Sequence, residues 1–94
     1  MTTVTLLIFS GRPDPTWELT AEEVSQLVQK LRDVDSAEEL SKLGYRGFLV
    51  QSDDPGMPSK MIVRNSPEVE RFLLSTSKRV LDPDIIQVVE QAIE

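Results

Sequence analysis

The sequence predicts an α+β domain in two layers, a small three-stranded sheet with helices packed on one face, in the order β-α-α-β-β-α-α. Three observations predict it. The chain has 94 residues, a length typical of one domain. Short segments rich in β-branched residues are typical of strands, and longer segments with apolar residues at helical spacing are typical of helices packed on one side. We therefore expect residues 1–94 to form a single domain.

Three segments have strand character. Residues 2–9 alternate imperfectly, are rich in β-branched residues and predict an internal strand. Residues 10–18 contain Gly11, Pro13 and Pro15 and predict a stiff loop. Residues 45–51 and 60–64 predict a hairpin, because a turn-rich stretch connects them. Whether the first strand pairs parallel or antiparallel to the second is left open by the long connection between them.

Four helices are predicted from their start signals. Thr20 followed by Glu23 has the pattern of a capping box, and apolar residues then recur at helical spacing from Val24 to Leu31. Ser36 followed by Glu39 repeats the pattern and predicts a short helix that includes Leu40 and Leu43 and ends before Gly44. A capping residue followed by proline begins each of the last two helices, at Ser66-Pro67 and Asp82-Pro83. The last helix has a wide predicted apolar stripe: Ile85, Val88, Val89, Ala92 and Ile93.

Composition narrows the function classes. The chain has no histidine and no cysteine, so it lacks the commonest general base, the commonest transition-metal ligand and any thiolate nucleophile. We therefore lean away from an enzyme and expect no cofactor. A net charge of -6 argues against nucleic-acid binding. No apolar run is long enough to span a membrane, and the lack of cysteine favours a cytoplasmic location.

Charge is distributed unevenly, with a basic middle at residues 42–81 between acidic flanks. Acids in the first turns of helices would explain the flanks, since the helix dipole favours them there. A dipolar surface that orients a partner is the alternative.

The loop between the first strand and the first helix contains the densest group of unusual residues. Arg12 and Asp14 lie among Gly11 and two prolines, and Trp17 is the single tryptophan. A backbone held in this way can display Arg12 and Asp14 for a carboxylate, phosphate or protein partner, with Trp17 adding contact area. The structural alternative is that Trp17 covers the core while Arg12 and Asp14 pair with each other or with the backbone.

A second group, Gly44-Tyr45-Arg46-Gly47-Phe48, sets an arginine between glycines and beside aromatic residues. If the first two predicted strands are antiparallel neighbours, Tyr45 and Arg46 share one surface with Arg12 and Trp17. A parallel pairing would separate them. The alternative interpretation is that Gly44 ends the preceding helix, Tyr45 and Phe48 pack, and Arg46 is solvated.

These two segments, Phe9-Ser10-Gly11-Arg12-Pro13-Asp14-Pro15-Thr16-Trp17 and Leu43-Gly44-Tyr45-Arg46-Gly47-Phe48, resemble a group of small uncharacterised microbial proteins. That group tends to carry Ser-Gly-Arg-Pro-Asn-Pro-x-Trp near the N-terminus. The resemblance covers about 15 residues, together with a similar late segment at residues 69–74, and it implies no function. Asp14 stands where the pattern commonly has asparagine, which leaves open whether its side chain caps a turn or supplies a charge.

Metal and nucleotide sites are not expected. Asp53-Asp54 and Asp82-Pro83-Asp84 lack the spacing of an EF-hand loop and are better explained as turn and capping residues. With four glycines, the chain has no phosphate-binding glycine motif.

Two functions remain. The leading hypothesis is a non-catalytic binding or accessory module whose partner is a protein or a second copy of the chain. The residues that bind are expected to be Arg12, Asp14, Trp17, Tyr45 and Arg46. The alternative is a small-ligand-binding protein or enzyme in which Arg12 and Arg46 hold an anionic substrate, with Asp14 as acid or base. Self-association through the last helix or an edge strand is a third route.

Overall fold

A computed structural model describes residues 1–8, 13–38, 44–77 and 80–93. Four strands form one antiparallel sheet: β1 (Thr2–Leu6), β2 (Thr16–Glu18), β3 (Phe48–Ser52) and β4 (Lys60–Val63). The spatial order is β2-β1-β3-β4, so β1 is internal as predicted. Three helices are described: α1 (Ala21–Lys30), α2 (Pro67–Thr76) and α3 (Pro83–Ala92). The small α+β class is confirmed, and the hairpin of β3 and β4 lies where it was predicted.

The sheet has four strands rather than three, because part of the predicted stiff loop is β2. Trp17 pairs with Val4, and the C=O of Pro15 accepts a hydrogen bond from the N–H of Leu6 at 2.9 Å. Proline cannot donate to a strand ladder, but its carbonyl still accepts. The two prolines therefore precede the strand instead of preventing it.

The predicted order is also wrong in detail, since the described elements run β-β-α-β-β-α-α. Residues 36–38 of the predicted second helix are not helical, and its remaining residues, including Glu39, Leu40 and Leu43, lie outside the described ranges. The capping box at Thr20 and Glu23 is confirmed, with both reciprocal hydrogen bonds present. The proline starts of α2 and α3 are also confirmed, although neither Ser66 nor Asp82 makes a side-chain cap.

One face of the sheet forms the core with the helices. Alternate residues of the strands are buried on this face, among them Val4, Phe48 and Val50. They form a single cluster with buried residues of the helices, which include Leu27 of α1, Leu73 of α2 and Val89 of α3. Val88, which was predicted to belong to the apolar stripe of the last helix, is 53% exposed. The buried stripe of α3 is therefore narrower than the apolar residues in its sequence indicate.

Buried polar side chains tie α2 to the sheet at both of its ends. Near the start of the helix, Glu70 accepts a hydrogen bond from the hydroxyl of Tyr45. At its last residue, Thr76 accepts one from the indole N–H of Trp17 at 2.9 Å and donates to the C=O of Leu73. These bonds satisfy polar groups that would be costly to bury alone, and they fix how α2 lies across the sheet.

The outer edge of β4 is partly closed by Ser36 and Ala37, which we call the strap. The N–H of Ala37 donates to the C=O of Ile62 at 2.8 Å, and the hydroxyl of Ser36 accepts from the N–H of Ile62 at 3.1 Å. Unpaired groups on an edge strand are templates for pairing with another chain. The strap therefore disfavours edge-to-edge association at Ile62.

Replacing Gly47 should destabilise the sheet more than replacing another glycine of positive φ. Gly47 has φ +109, and a Cβ there would lie 2.6 Å from the C=O of Val63, whereas Gly56 has φ +84 and open space around it. We expect Gly47→Ala to lower the free energy of unfolding by about 3 kcal/mol, since it adds a clash to backbone strain. Gly56→Ala should cost about 1 kcal/mol. Equal losses in urea titrations of the two variants would contradict this account.

Ala37→Pro should promote self-association, because it removes the N–H that the strap donates to Ile62. The expected result is a larger associated fraction at high protein concentration, measured by gel filtration with light scattering. Ala37→Gly is the matched control, since it keeps the N–H. If the proline variant folds and remains as monomeric as the glycine variant, the strap does not protect the edge.

Candidate functional site

Five side chains gather at the end of the sheet where β1 and β4 end and β3 begins. We call them the arginine cluster: Asp14, Tyr45, Arg46, Arg64 and Glu70. The antiparallel pairing of β1 with β3 brings their segments together. The sequence left open whether these two strands are parallel or antiparallel. Because they are antiparallel, the first loop and the Tyr45-Arg46 segment meet.

Arg46 and Gly47, which follow Tyr45, are held by main-chain hydrogen bonds that extend the ladder beyond the strands. The N–H of Arg46 donates to the C=O of Leu7 at 2.8 Å, and the N–H of Leu7 donates to the C=O of Gly47 at 3.0 Å. Successive side chains along an extended segment point in opposite directions. Tyr45 is accordingly buried in the core, and Arg46 lies on the outer side, 19% exposed.

Glu70 is the centre of the buried side of the cluster. Its carboxylate is wholly buried and accepts hydrogen bonds from the Tyr45 hydroxyl at 2.5 Å, the Arg64 guanidinium at 3.3 Å and the Ser66 N–H at 3.0 Å. A carboxylate removed from water is tolerated when donors and an opposite charge surround it. These contacts connect α2 to the ends of β3 and β4.

Tyr45 lies between Phe48 and Arg64. Its ring meets Phe48 edge-on at 5.8 Å between centroids, and the Arg64 guanidinium lies over the ring at 4.9 Å from its centroid. Burial, reinforced by the hydrogen bond to the Glu70 carboxylate, raises the pKa of Tyr45 far above its ordinary value. The hydroxyl therefore stays protonated and acts as a fixed donor to Glu70.

The outer side of the cluster consists of Asp14 and Arg46. One oxygen of Asp14 accepts the N–H of Ile8 at 3.1 Å, and the other lies 3.8 Å from Nη2 of Arg46. Their exposed fractions are 20% and 19%. Asp14 therefore contacts both a main-chain N–H and a guanidinium.

Trp17 packs in the core instead of joining the outer side. It is 7% exposed, meets Phe48 edge-on with centroids 6.3 Å apart, and donates to Thr76. Trp17 and Tyr45 thus contact the same phenylalanine. Arg12 lies outside the described residues. The proposed roles of these residues in binding remain predictions.

Sequence reasoning did not single out Arg64 and Glu70. On a helical wheel Glu70 lies between Leu73 and Leu74, but an acid beside an apolar stripe is usually solvated. A weak signal for the burial of Glu70 was that its neighbours on that side of the helix are apolar. Arg64 follows a strand and precedes a turn in which Asn65 has φ +65, and its role depends on where α2 lies.

The adjacent carboxylates Asp53 and Asp54 are engaged by the ammonium group of Met1. Its nitrogen lies 2.6 Å from Asp53 and 2.9 Å from Asp54, and Asp54 also accepts the hydroxyl of Thr2. The hydrogen bonds to Asp53 and Asp54 raise the pKa of the Met1 ammonium to about 10. The hydrogen bond from Thr2, with those from the ammonium, lowers the pKa of Asp54. Within the described ranges, no group of three acidic residues is placed to hold a metal ion.

Two concavities among the described residues are lined by other side chains. One of about 440 Å³ lies between α2 and α3, and one of about 360 Å³ lies between the end of α1 and the tip of the β3–β4 hairpin. No helix in the part of the chain that the structure describes is long and apolar enough to cross a membrane.

Comparison with known proteins adds no family. No protein-family model, curated protein or solved structure matches the chain.

Tyr45 should ionise only when the protein unfolds. Its pKa is raised in the folded state from an ordinary 10.0, so its contribution to stability is complete below pH 10 and declines as pH rises above it. The slope should approach about 1.4 kcal/mol per pH unit. Tyr45 is the single tyrosine, so tyrosinate absorbance during alkaline titration reports on it alone. That absorbance should appear together with loss of the helical circular dichroism signal.

Tyr45→Phe is the control, because it removes the phenol and leaves the other side chains of the protein unchanged. The variant should lose less free energy of unfolding per pH unit above pH 10 than the parent protein. Tyrosinate absorbance near pH 10 in a fully folded protein would contradict the burial of this hydroxyl.

Proposed function

We propose that this domain is a non-catalytic binding or accessory module, and that a protein partner contacts it at the outer side of the arginine cluster. The observation that carries the proposal is the convergence of Asp14 and Arg46, which come from distant segments and lie 3.8 Å apart with both side chains partly exposed. A protein surface that presents a charged pair in a fixed geometry is suited to recognition.

Rigidity supports this proposal. The N–H of Arg46 is bonded to Leu7, the residue after β1, and Asp14 is held against the N–H of Ile8. Binding therefore immobilises less backbone than a free loop would require, which reduces the entropic cost of association. Arginine is also enriched at the residues that dominate binding energy in interfaces.

The chemistry of the cluster favours recognition over catalysis. Tyr45, whose pKa is raised, has no accessible ionisation near neutral pH. Glu70 is wholly buried and already accepts three hydrogen bonds, so substrate has no access to its oxygens. Both groups serve to hold the segment that carries Arg46.

An anionic ligand held by arginines is the second candidate. Its support is that Arg46 and Arg64 lie at the same end of the sheet, on segments that meet at Gly47. Each guanidinium faces a carboxylate, Asp14 and Glu70 respectively, which reduces its net attraction for an anion. We therefore rank this candidate below a protein partner.

Arg46→Ala should weaken capture of the native partner, because it removes the guanidinium from the outer side of the cluster. Folding should be little affected, since partly exposed ion pairs contribute about 1 kcal/mol or less. The measurement is quantitative affinity capture from native cells, with circular dichroism and thermal unfolding of each purified variant. Asp14→Asn, which keeps an acceptor for the N–H of Ile8 but loses the charge, should weaken capture less.

Arg32→Ala is the matched control, because Arg32 is exposed and follows α1, outside the cluster. Arg12→Ala tests the remaining arginine of the motif. If the Arg46, Asp14 and Arg12 variants are folded and recover the same partners at the level of the Arg32 control, the proposal is wrong.

A further inference from the structure

The groove between α2 and α3 combines an apolar floor with opposite charges on its two walls. Its volume is about 440 Å³, within the range of small-ligand sites. The residues that line it are Arg71, Leu74, Ser75, Ser77, Ile86 and Glu90. Leu74 and Ile86 provide apolar surface from both helices.

The hydroxyls in the groove are oriented to accept hydrogen bonds. Ser75 donates to the C=O of Phe72 at 2.5 Å, and Ser77 donates to the C=O of Leu74 at 2.6 Å. A hydroxyl has one donor and two acceptor lone pairs, so each oxygen retains a lone pair after donating to the helix. Ser75 is exposed and therefore suits a ligand that supplies N–H donors, whereas Ser77 is buried.

The charges on the walls have complementary signs. Arg71 belongs to α2 and Glu90 to α3, and both are exposed at the groove. Neither belongs to any of the ion pairs formed among residues 1–8, 13–38, 44–77 and 80–93. A guanidinium binds a carboxylate through paired donors, and a carboxylate accepts hydrogen bonds from an ammonium group.

We propose that this groove binds a small zwitterion with a branched aliphatic side chain, an α-amino acid or a short apolar peptide. Arg71 binds the carboxylate of the ligand, Glu90 binds its ammonium group, and Leu74 and Ile86 contact its side chain. The site goes beyond the proposed protein-binding function and uses none of the residues of the arginine cluster.

Binding is tested on the full chain with L-leucine and L-leucyl-L-leucine, which separate the amino-acid and peptide sources. We expect saturable changes in the amide resonances of Leu74, Ser75 and Ile86 of isotope-labelled protein with at least one of these probes. Isocaproate lacks the ammonium group and isoamylamine lacks the carboxylate. Each should bind about threefold to tenfold more weakly than leucine, because one charged contact is lost.

Arg71→Gln and Glu90→Gln should weaken binding of the zwitterion by a similar factor, and both positions are exposed, so folding is retained. Arg32→Gln and Glu22→Gln are the matched controls and should bind like the parent protein. Three results each overturn the proposal: no saturable change with either zwitterion, binding of both single-charge analogues as tight as that of leucine, or unchanged binding by both groove variants.

Discussion

A carboxylate without access to water must be surrounded by donors, and Glu70 imposes this requirement on the fold. Its oxygens hold the Tyr45 hydroxyl, the Arg64 guanidinium and the Ser66 N–H in one arrangement. Removing one partner of a buried charge leaves the other unsatisfied, which is far more costly than losing an exposed ion pair. The position of α2, the ends of β3 and β4 and the placement of Arg46 all depend on this group being satisfied.

The second polar anchor of α2 complements the first. Trp17 bonds to Thr76 at the other end of the helix, while both Trp17 and Tyr45 pack edge-on against Phe48. Apolar packing alone would permit the helix to slide or rotate on the sheet at small cost, since it is non-directional. Directional bonds at both ends select one register. The core is thus apolar in bulk and oriented by a few buried polar contacts.

Local signals in the sequence predicted the local structure. Three predicted features each depend on a few neighbouring residues, and the structure contains them. They are the capping box at Thr20 and Glu23, the prolines at positions 67 and 83, and the hairpin of β3 and β4. β2 was missed because three residues after two prolines form a strand only through pairing with β1. Pairing direction, which the sequence left open, also decides that Asp14 meets Arg46. Glu70 could not be recognised as buried because its donors come from two separate segments, Tyr45 before β3 and Arg64 with Ser66 after β4.

The side chains of Tyr45 and Arg46 point to opposite sides of one segment, and this affects which substitutions such a protein can accept as its sequence diverges. Tyr45 commits its side chain to the interior, while its neighbour presents a guanidinium at the surface from the same stretch of backbone. Substitutions at position 46 can therefore be sampled by evolution without disturbing the anchor beside it. A scaffold of this kind allows the charge at its surface to change while the buried contacts that hold the fold are kept.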